Sequence, residues 1–434
     1  MSPDRHRLRM AVLIMVWSGA ALLAACGCST RSLPLEPSRA FRGAAPLSGR
    51  PNGQEVSVTL APEADAAAVA ATYGASLHGS ASWRCAKMLP AADQSAEELA
   101  AMLAADPRVL SAEPGVPAEC AEARQQSFSF DDGWGSAEAC LVQPSALTLG
   151  LDEAHAIGRG AGVRVAILDT GIDRTHPALA GSIVGGWDFV DEDPDPTDSA
   201  DGIDDDGDGV VDEALGHGTH VAGIVHLTAP GAELLVARVL SSEGHGDMID
   251  VARAIRWAVA HGARVINLSL GSLTRSDAVQ LALAEAADVG VVCVAAAGNS
   301  GSNTPVEFPA SSRFTVAVAA LDVQGLPAAF TSYGDFVEIS APGTAIRSTF
   351  TGGGYALWSG TSMAAPFVSG GFALLIPLHP EWSEKRLEDR LRATARTIDL
   401  YQGLLGAGAL DLGAALRPDS SSDESQDHNP LRGG

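Results

Sequence analysis

In the second half of the chain the hydrophobic residues come in unbroken runs rather than in alternation. Val163 to Leu168, Leu234 to Val239, Val265 to Leu270, Val291 to Ala296 and Phe314 to Ala320 each read as a strand buried on both faces. Helical periodicity fills several of the gaps, over His217 to His226, Met248 to His261 and Asp277 to Val289. Continuous apolar strands alternating with helices predict an α/β fold, a parallel sheet covered by helices on both faces. Ligands of such sheets bind at the carboxyl ends of the strands. A final apolar run, Phe367 to Ile376, follows Gly360-Thr361-Ser362-Met363-Ala364-Ala365-Pro366. That stretch predicts a turn feeding a buried helix, with a hydroxyl at the helix N-terminus.

The first half is patterned differently. Glu55 to Leu60 alternates like a strand, Ala64 to Tyr73 and Ser95 to Ala105 are helical, and Val109 to Ala112 is a short strand. Asp106-Pro107 ends the second helix. Two strand–helix–strand units in so short a span predict a small ferredoxin-like α+β domain. The expected division is residues 1–26 a signal, 27–52 a Pro/Ser/Arg/Gly-rich tether, 53–119 the small domain, 120–149 a linker, 150–416 the main domain and 417–434 a Ser/Asp/Gly-rich disordered tail.

Composition narrows the partners. The chain has 434 residues and a formal net charge of −25, with lysine only at Lys87 and Lys385. So acidic a chain lacks the basic face that phosphate binding needs, which excludes nucleic acid. Arg5, Arg7 and Arg9 precede an apolar run from Met10 to Ala25, the architecture of an export signal and short for a membrane span. The run ends Leu23-Ala24-Ala25-Cys26, like a bacterial lipobox, which makes Cys26 the expected lipidation site and membrane anchor. A plain secretory signal is the alternative, and both readings export the chain. Of the remaining cysteines, Cys28, Cys85, Cys120, Cys140 and Cys293, at least one cannot pair within the chain. Cys293, in an apolar strand, reads as a small buried hydrophobe.

Four short stretches carry candidate chemistry. Ser362 stands at a helix N-terminus, where N–H groups and the dipole favour negative charge. Asp169 follows the apolar strand ending at Leu168, so its carboxylate lies at a strand's carboxyl end. His217 lies in Gly216-His217-Gly218-Thr219-His220, with glycines that let other groups approach the imidazole. Asn299, in Gly298-Asn299-Ser300-Gly301, offers an amide donor for an oxyanion. Singly, each has a blander reading as a helix cap, a packed histidine or a turn residue. A zinc pair at His217 and His220 is disfavoured, because the spacing is i, i+3 and the neighbouring sequence supplies no third soft ligand.

Together these stretches resemble the subtilisin-like serine peptidases, the subtilases, over about Leu141 to Arg417. The blocks Asp169 to Asp173, Gly216 to Gly223, Ala296 to Gly301 and Gly360 to Pro366 carry the resemblance, in the chain order Asp, His, Ser. It implies a subtilisin-like fold and hydrolysis of polypeptide substrates through an acyl-enzyme. Asp169 would orient His217, His217 would take the proton of Ser362, and Asn299 would hold the oxyanion. It further implies walls of the P1 pocket at Ser269-Leu270-Gly271 and Ala296-Ala297-Gly298, and a substrate-pairing edge at Gly244-His245-Gly246. Met248 would rim a more distant apolar subsite. Glu307, before Phe308-Pro309, would lie on the P1 pocket floor and favour Arg or Lys.

Two further expectations follow. Asp188 to Glu213 holds thirteen acidic residues and no Lys or Arg. Within it Asp204, Asp206, Asp208 and Asp212 are spaced like the start of a calcium loop, although Leu215 stands where an EF-hand needs Glu. Ca2+ is therefore the expected structural cofactor. The small domain looks like a subtilase propeptide, an intramolecular inhibitor cut off between Cys120 and Cys140. Such a cut releases a monomeric catalytic domain from a lipid on Cys26, unless a disulfide joins Cys140 to Cys120 or Cys85. The rival function is a catalytically silent surface lipoprotein of the same fold that binds peptides or calcium.

Overall fold

The computed structural model describes residues 54–120, 122, 136–204 and 209–418. The signal, Cys26, the tether, Cys28, most of the segment between 121 and 135, Asp206, Asp208 and the tail beyond residue 418 lie outside them.

Residues 54–119 form a four-stranded antiparallel sheet from β1 (Val56–Leu60), β2 (Ser76–Ser82), β3 (Cys85–Leu89) and β4 (Val109–Pro114), in the order β2-β3-β1-β4. Helices Ala66–Thr72 and Ala96–Leu103 supply the other layer. Side chains satisfy the orphan N–H groups at both starts and set the first at Ala66 rather than at the expected Ala64. Asp65 accepts from Ala67 N–H at 3.0 Å, and Ser95 and Glu98 form a reciprocal capping box. Val58, Met88, Leu99 and Leu103 are buried between the layers. The β2–β3 hairpin escapes the sequence reading. β2 is mostly exposed and carries no apolar alternation, and Trp83 and Arg84 at the turn adopt positive φ.

The main domain is built on a seven-stranded parallel sheet. In chain order its strands are β6 (Arg164–Asp169), β7 (Ile183–Asp188), β8 (Glu233–Arg238), β10 (Val265–Leu268), β11 (Val292–Ala296), β12 (Thr315–Leu321) and β13 (Ile339–Pro342). Two short strands stand apart from it, β5 (Pro117–Glu119) and β9 (His245–Asp247), which pair with each other, and β14 (Ile346–Phe350) and β15 (Gly354–Trp358) form a hairpin. The sheet order is β13-β12-β11-β10-β6-β8-β7. From β6 the chain passes to the edge strand β7, returns to β8, then crosses to β10 and works outward to β13, so the crossover direction reverses between β6 and β10. A crevice opens at their carboxyl ends, the place where ligands bind in such sheets. Helices His217–Thr228 and Thr361–Leu375 cover one face, and Met248–Ala260 and Asp277–Asp288 the other.

One expectation is corrected. The stretch from 120 to 149 is not simply a linker: Ala137–Leu141 and Pro144–Thr148 are short helices. Pro144 starts the second of them, in the first turn, where a missing N–H breaks no helix bond. Gln143 also ties this segment to the β14–β15 hairpin, donating to Arg347 O at 3.0 Å and accepting from Arg347 N–H at 2.9 Å. The pairing left open, a disulfide from Cys140 to Cys120 or Cys85, is not formed. All three are buried thiols, as is Cys293, whose burial pushes it up to about 12.

Candidate active site

Ser362 stands on the first turn of the Thr361–Leu375 helix. Pro366, inside that helix, has no N–H to give to the carbonyl four residues back, which is that of Ser362. Ser269, just past β10, takes over that acceptor with its hydroxyl at 3.0 Å. Asn267 and Ser369 complete a buried chain, Ser369 Oγ to Asn267 Oδ1 at 2.8 Å and Asn267 Nδ2 to Ser269 Oγ at 2.9 Å. A helix whose own ladder is interrupted is thereby fixed to the central strand.

His217 starts its helix, and the Gly216 N–H donates to the buried Asp198 carboxylate at 2.8 Å. Asp198 Oδ2 also accepts the Thr170 hydroxyl at 3.0 Å, and Thr170 Oγ1 accepts the Gly218 N–H at 3.0 Å. Gly218 has to be glycine, since a Cβ there would stand 2.1 Å from Gly171 O. That approach lets Asp169 Oδ1 reach His217 Nδ1 at 2.6 Å, with both side chains fully buried. Burial raises the Asp198 carboxyl to about 7, against the pull of its hydrogen bonds. Trp358, at the end of β15, lies 5.3 Å from the His217 ring and stacks on His220 at 5.5 Å. His220 is a packed histidine, its Nε2 directed at Ile346 O at 3.0 Å, and burial pushes it down to about 3.

Asn299 follows β11. Its Oδ1 accepts the Thr361 N–H and hydroxyl, each at 2.9 Å. Because the Thr361 N–H can only donate, Nδ2 must face the crevice. There it meets the residue that sequence reasoning missed. One Glu122 oxygen accepts from Asn299 Nδ2 at 3.0 Å. The other accepts the Ser362 hydroxyl at 2.6 Å and lies 3.2 Å from His217 Nε2. Ser362, His217 and Asn299 thus converge on one carboxylate, seated against Gly360, where a Cβ would come within 1.8 Å of it. Burial by itself pushes the Glu122 carboxyl up, but bonds from His217, Ser362 and Asn299 outweigh this and hold it below its ordinary value. Burial likewise pushes the His217 imidazole down, yet Asp169 and Glu122 raise it to about 10.

The segment before Glu122 lies along the crevice as an extended strand. β5 pairs antiparallel with β9, Ala118 opposite Gly246 and Glu119 opposite His245. On its other side Glu119 exchanges both backbone bonds with Gly271, at 2.9 and 2.8 Å. Cys120 N–H donates to Gly244 O and Met248 N–H to Val116 O, each at 2.9 Å. Leu270, Ala296 and Ala297 are buried beside the crevice, and Gly298 N–H donates to Thr361 Oγ1 at 3.1 Å. The buried Glu307 carboxylate comes so close to Gly271 and Gly298 that a Cβ on either would meet it at 2.6 or 2.5 Å. It therefore lies between the two expected pocket walls.

In the acidic run, Asp204 Oδ2 accepts the Gly209 N–H at 3.0 Å. The two oxygens of Asp212 accept the Asp201 and Gly202 N–H groups at 3.0 and 3.1 Å. These are hard oxygen donors held on a folded-back loop.

A doubly wound α/β sheet with a hydroxyl, an imidazole and a carboxylate meeting at the carboxyl edge, beside an amide donor, defines the class: an α/β protein equipped for nucleophilic catalysis. The model of the subtilase family matches residues 160–428. This chain belongs to the subtilase family. Among its relatives, Subtilisin NAT of Bacillus subtilis subsp. natto is 38% identical over 248 residues, covering 54% of this chain and 61% of that one. Thermitase of Thermoactinomyces vulgaris is 41% identical over 233 residues, covering 51% and 78%. The fold is shared with fervidolysin of Fervidobacterium pennivorans, a keratinolytic enzyme related to subtilisin. That match has a TM-score of 0.68 at 24% identity, over 85% of this chain and 61% of that one.

Proposed function

We propose that the protein is an exported serine endopeptidase made as an inactive precursor. Asp169 holds the Nδ1–H of His217, and His217 Nε2 takes the Ser362 proton as Oγ bonds to the substrate carbonyl carbon. The oxyanion rests between Asn299 Nδ2 and the N-terminus of the Ser362 helix. His217 then returns the proton to the leaving amine as the C–N bond breaks, and water releases the acyl group by the same steps. The observation that carries this reading is the convergence of Ser362, His217 and Asn299 on one negative group.

Residues 54–122 act as the inhibitory propeptide: β5 occupies the crevice as substrate would, and the Glu122 carboxylate fills the place of the oxyanion. Lipidation of Cys26 anchors the precursor, and processing frees a monomeric peptidase domain. Asp204 and Asp212, with Asp206 and Asp208, hold a structural Ca2+, for which an all-oxygen donor set is suited. The test is a fluorophosphonate probe applied to processed protein. Wild type should be labelled and Ser362→Ala should not. A folded wild type that stays unlabelled, with its N-terminal domain removed, would leave only the silent binding protein.

A further inference from the structure

Cys120 brings a sulfur to a place where neither inhibition nor catalysis calls for one. Its Sγ, a Glu122 oxygen and a ring nitrogen of His217 all lie within 4.8 Å of one another, all three residues are buried, and Nε2 is the nitrogen that faces Glu122, at 3.2 Å. Thiolate, carboxylate and imidazole together make the donor set of a borderline-soft divalent ion, Zn2+ above all.

The ligands are also held from behind. Asp169 takes the Nδ1 side of His217 at 2.6 Å, the carboxylate–histidine arrangement that orients imidazole ligands in metal sites. Asn299 Nδ2 fixes one oxygen of Glu122 and leaves the other facing His217 and Ser362. The thiol is set by its backbone, through Cys120 N–H to Gly244 O and the paired bonds of Glu119 with Gly271. Charge points the same way. Two buried carboxylates, Asp169 and Glu122, flank a single imidazole, and no Lys or Arg hydrogen-bonds to either of them among the described residues.

We propose that the uncleaved chain binds one thiophilic divalent cation, Zn2+ by preference, through Cys120 Sγ, Glu122 and His217 Nε2. The fourth position is left to water or the Ser362 hydroxyl. Binding releases the thiol proton and the Nε2 proton. It draws the three donors together to bonds of about 2.0–2.3 Å. Nε2 is the atom that must accept the serine proton, so the ion latches the precursor shut more firmly than Glu122 does alone. The latch rests on the reading of residues 54–122 as a propeptide, but its binding can be read without any proteolysis.

The experiment uses full-length Ser362→Ala protein, which stays uncut, in excess Ca2+ to saturate the acidic loop. Titration with Co2+ should produce a sulfur-to-cobalt charge-transfer band. Competing Zn2+ should abolish the band, and zinc content after dialysis should be a single equivalent per chain. Cys120→Ser and His217→Gln should each lose the band and bind Zn2+ more than about tenfold more weakly. Amide exchange of β5 should stay unchanged in both variants, showing that the strand remains in the crevice. In the wild-type background Zn2+ should slow appearance of the processed form, and Cys120→Ser should remove that effect. No charge-transfer band, or equal zinc affinity in Cys120→Ser with β5 still protected, overturns the latch. Fluorophosphonate labelling reports separately on the peptidase reading, so the two can fail independently.

Discussion

At the scale of single residues, the four motif positions were legible because their short blocks occur together in one chain order, and Glu307 was legible only through the resemblance that those blocks carry. Glu122 and Asp198 were not. Glu122 falls in a stretch without period, and Asp198 is one acid among thirteen between Asp188 and Glu213. Nothing in composition separates Asp198, which is buried and braces Thr170 and Gly216, from the exposed acids around it. Glu307 supports a prediction at this scale. Its carboxylate lies against Gly271 and Gly298, so a cationic P1 side chain entering between those walls gains a charge-assisted contact. Glu307→Gln should lower kcat/KM for Arg and Lys at P1 on the order of tenfold or more relative to Phe, measured on matched peptides. An unchanged ratio would remove Glu307 from the pocket.

At the scale of elements, the strands and helices that sequence reasoning found are those with long apolar runs or side-chain caps. It missed β7 and β13, whose runs are broken by Gly185-Gly186 and by Ser340, and the β14–β15 hairpin, whose first strand carries three polar residues in a row, Arg347-Ser348-Thr349. The junction of β12 and β13 also hides a titrating group. Glu338 Oε2 accepts the Ala317 N–H at 2.8 Å, so a side chain completes the ladder there. Burial, reinforced by nearby Glu388 and only partly offset by Ala317 N–H and Arg392, raises this carboxyl to about 7. A carboxyl raised in the fold stabilises it fully below the unfolded value of 4.5, and that contribution is lost as pH rises through about 7. Glu338→Gln should therefore gain stability over wild type as pH is raised from about 5 to about 8, on the order of 2 kcal/mol by urea melts. A difference that stays flat across that range would show that Glu338 is not the titrating group.

At the scale of the whole molecule, the small domain packs across helices Met248–Ala260 and Asp277–Asp288 through charged contacts. Lys87 bonds Asp247 at 2.6 Å and Asp250 at 2.7 Å, Arg253 donates to Ser82 Oγ at 2.7 Å, the Ser80 hydroxyl donates to Glu192 at 2.6 Å, and Glu113 receives the N–H groups of Asp277 and Ala278. Arg84 and Arg256 share Glu285. For Glu192 and Glu285 burial pushes the carboxyl up, but Arg253 in one case and Arg256 with Arg84 in the other hold it below 4.5. Of these partners only Ser80 and Lys87 beside Glu192, and Arg84 beside Glu285, belong to the small domain. Only their share of the depression stabilises docking above the ordinary carboxyl value, and that share is lost as pH falls through the lowered one. Docking should therefore weaken as pH drops from about 5 to about 3, read as faster amide exchange at Glu119 and Cys120. Protection that persists in acid would mean that apolar contacts alone hold the domain.

The sequence by itself determined the class of sheet, the small α+β domain ahead of it and the four groups on which the proposed function rests. Continuous apolar runs, caps and short motifs act over a few residues and so can be read along the chain. Only the tertiary structure decided what those groups face. Read locally, His217 had no third soft ligand, and the segment after residue 119 was a linker. Pairing of β5 with β9 and Gly271 carries Cys120 and Glu122, far away in sequence, onto Nε2 of that same histidine. Backbone pairing of that kind depends on register and proximity rather than side-chain identity, and no local pattern encodes it.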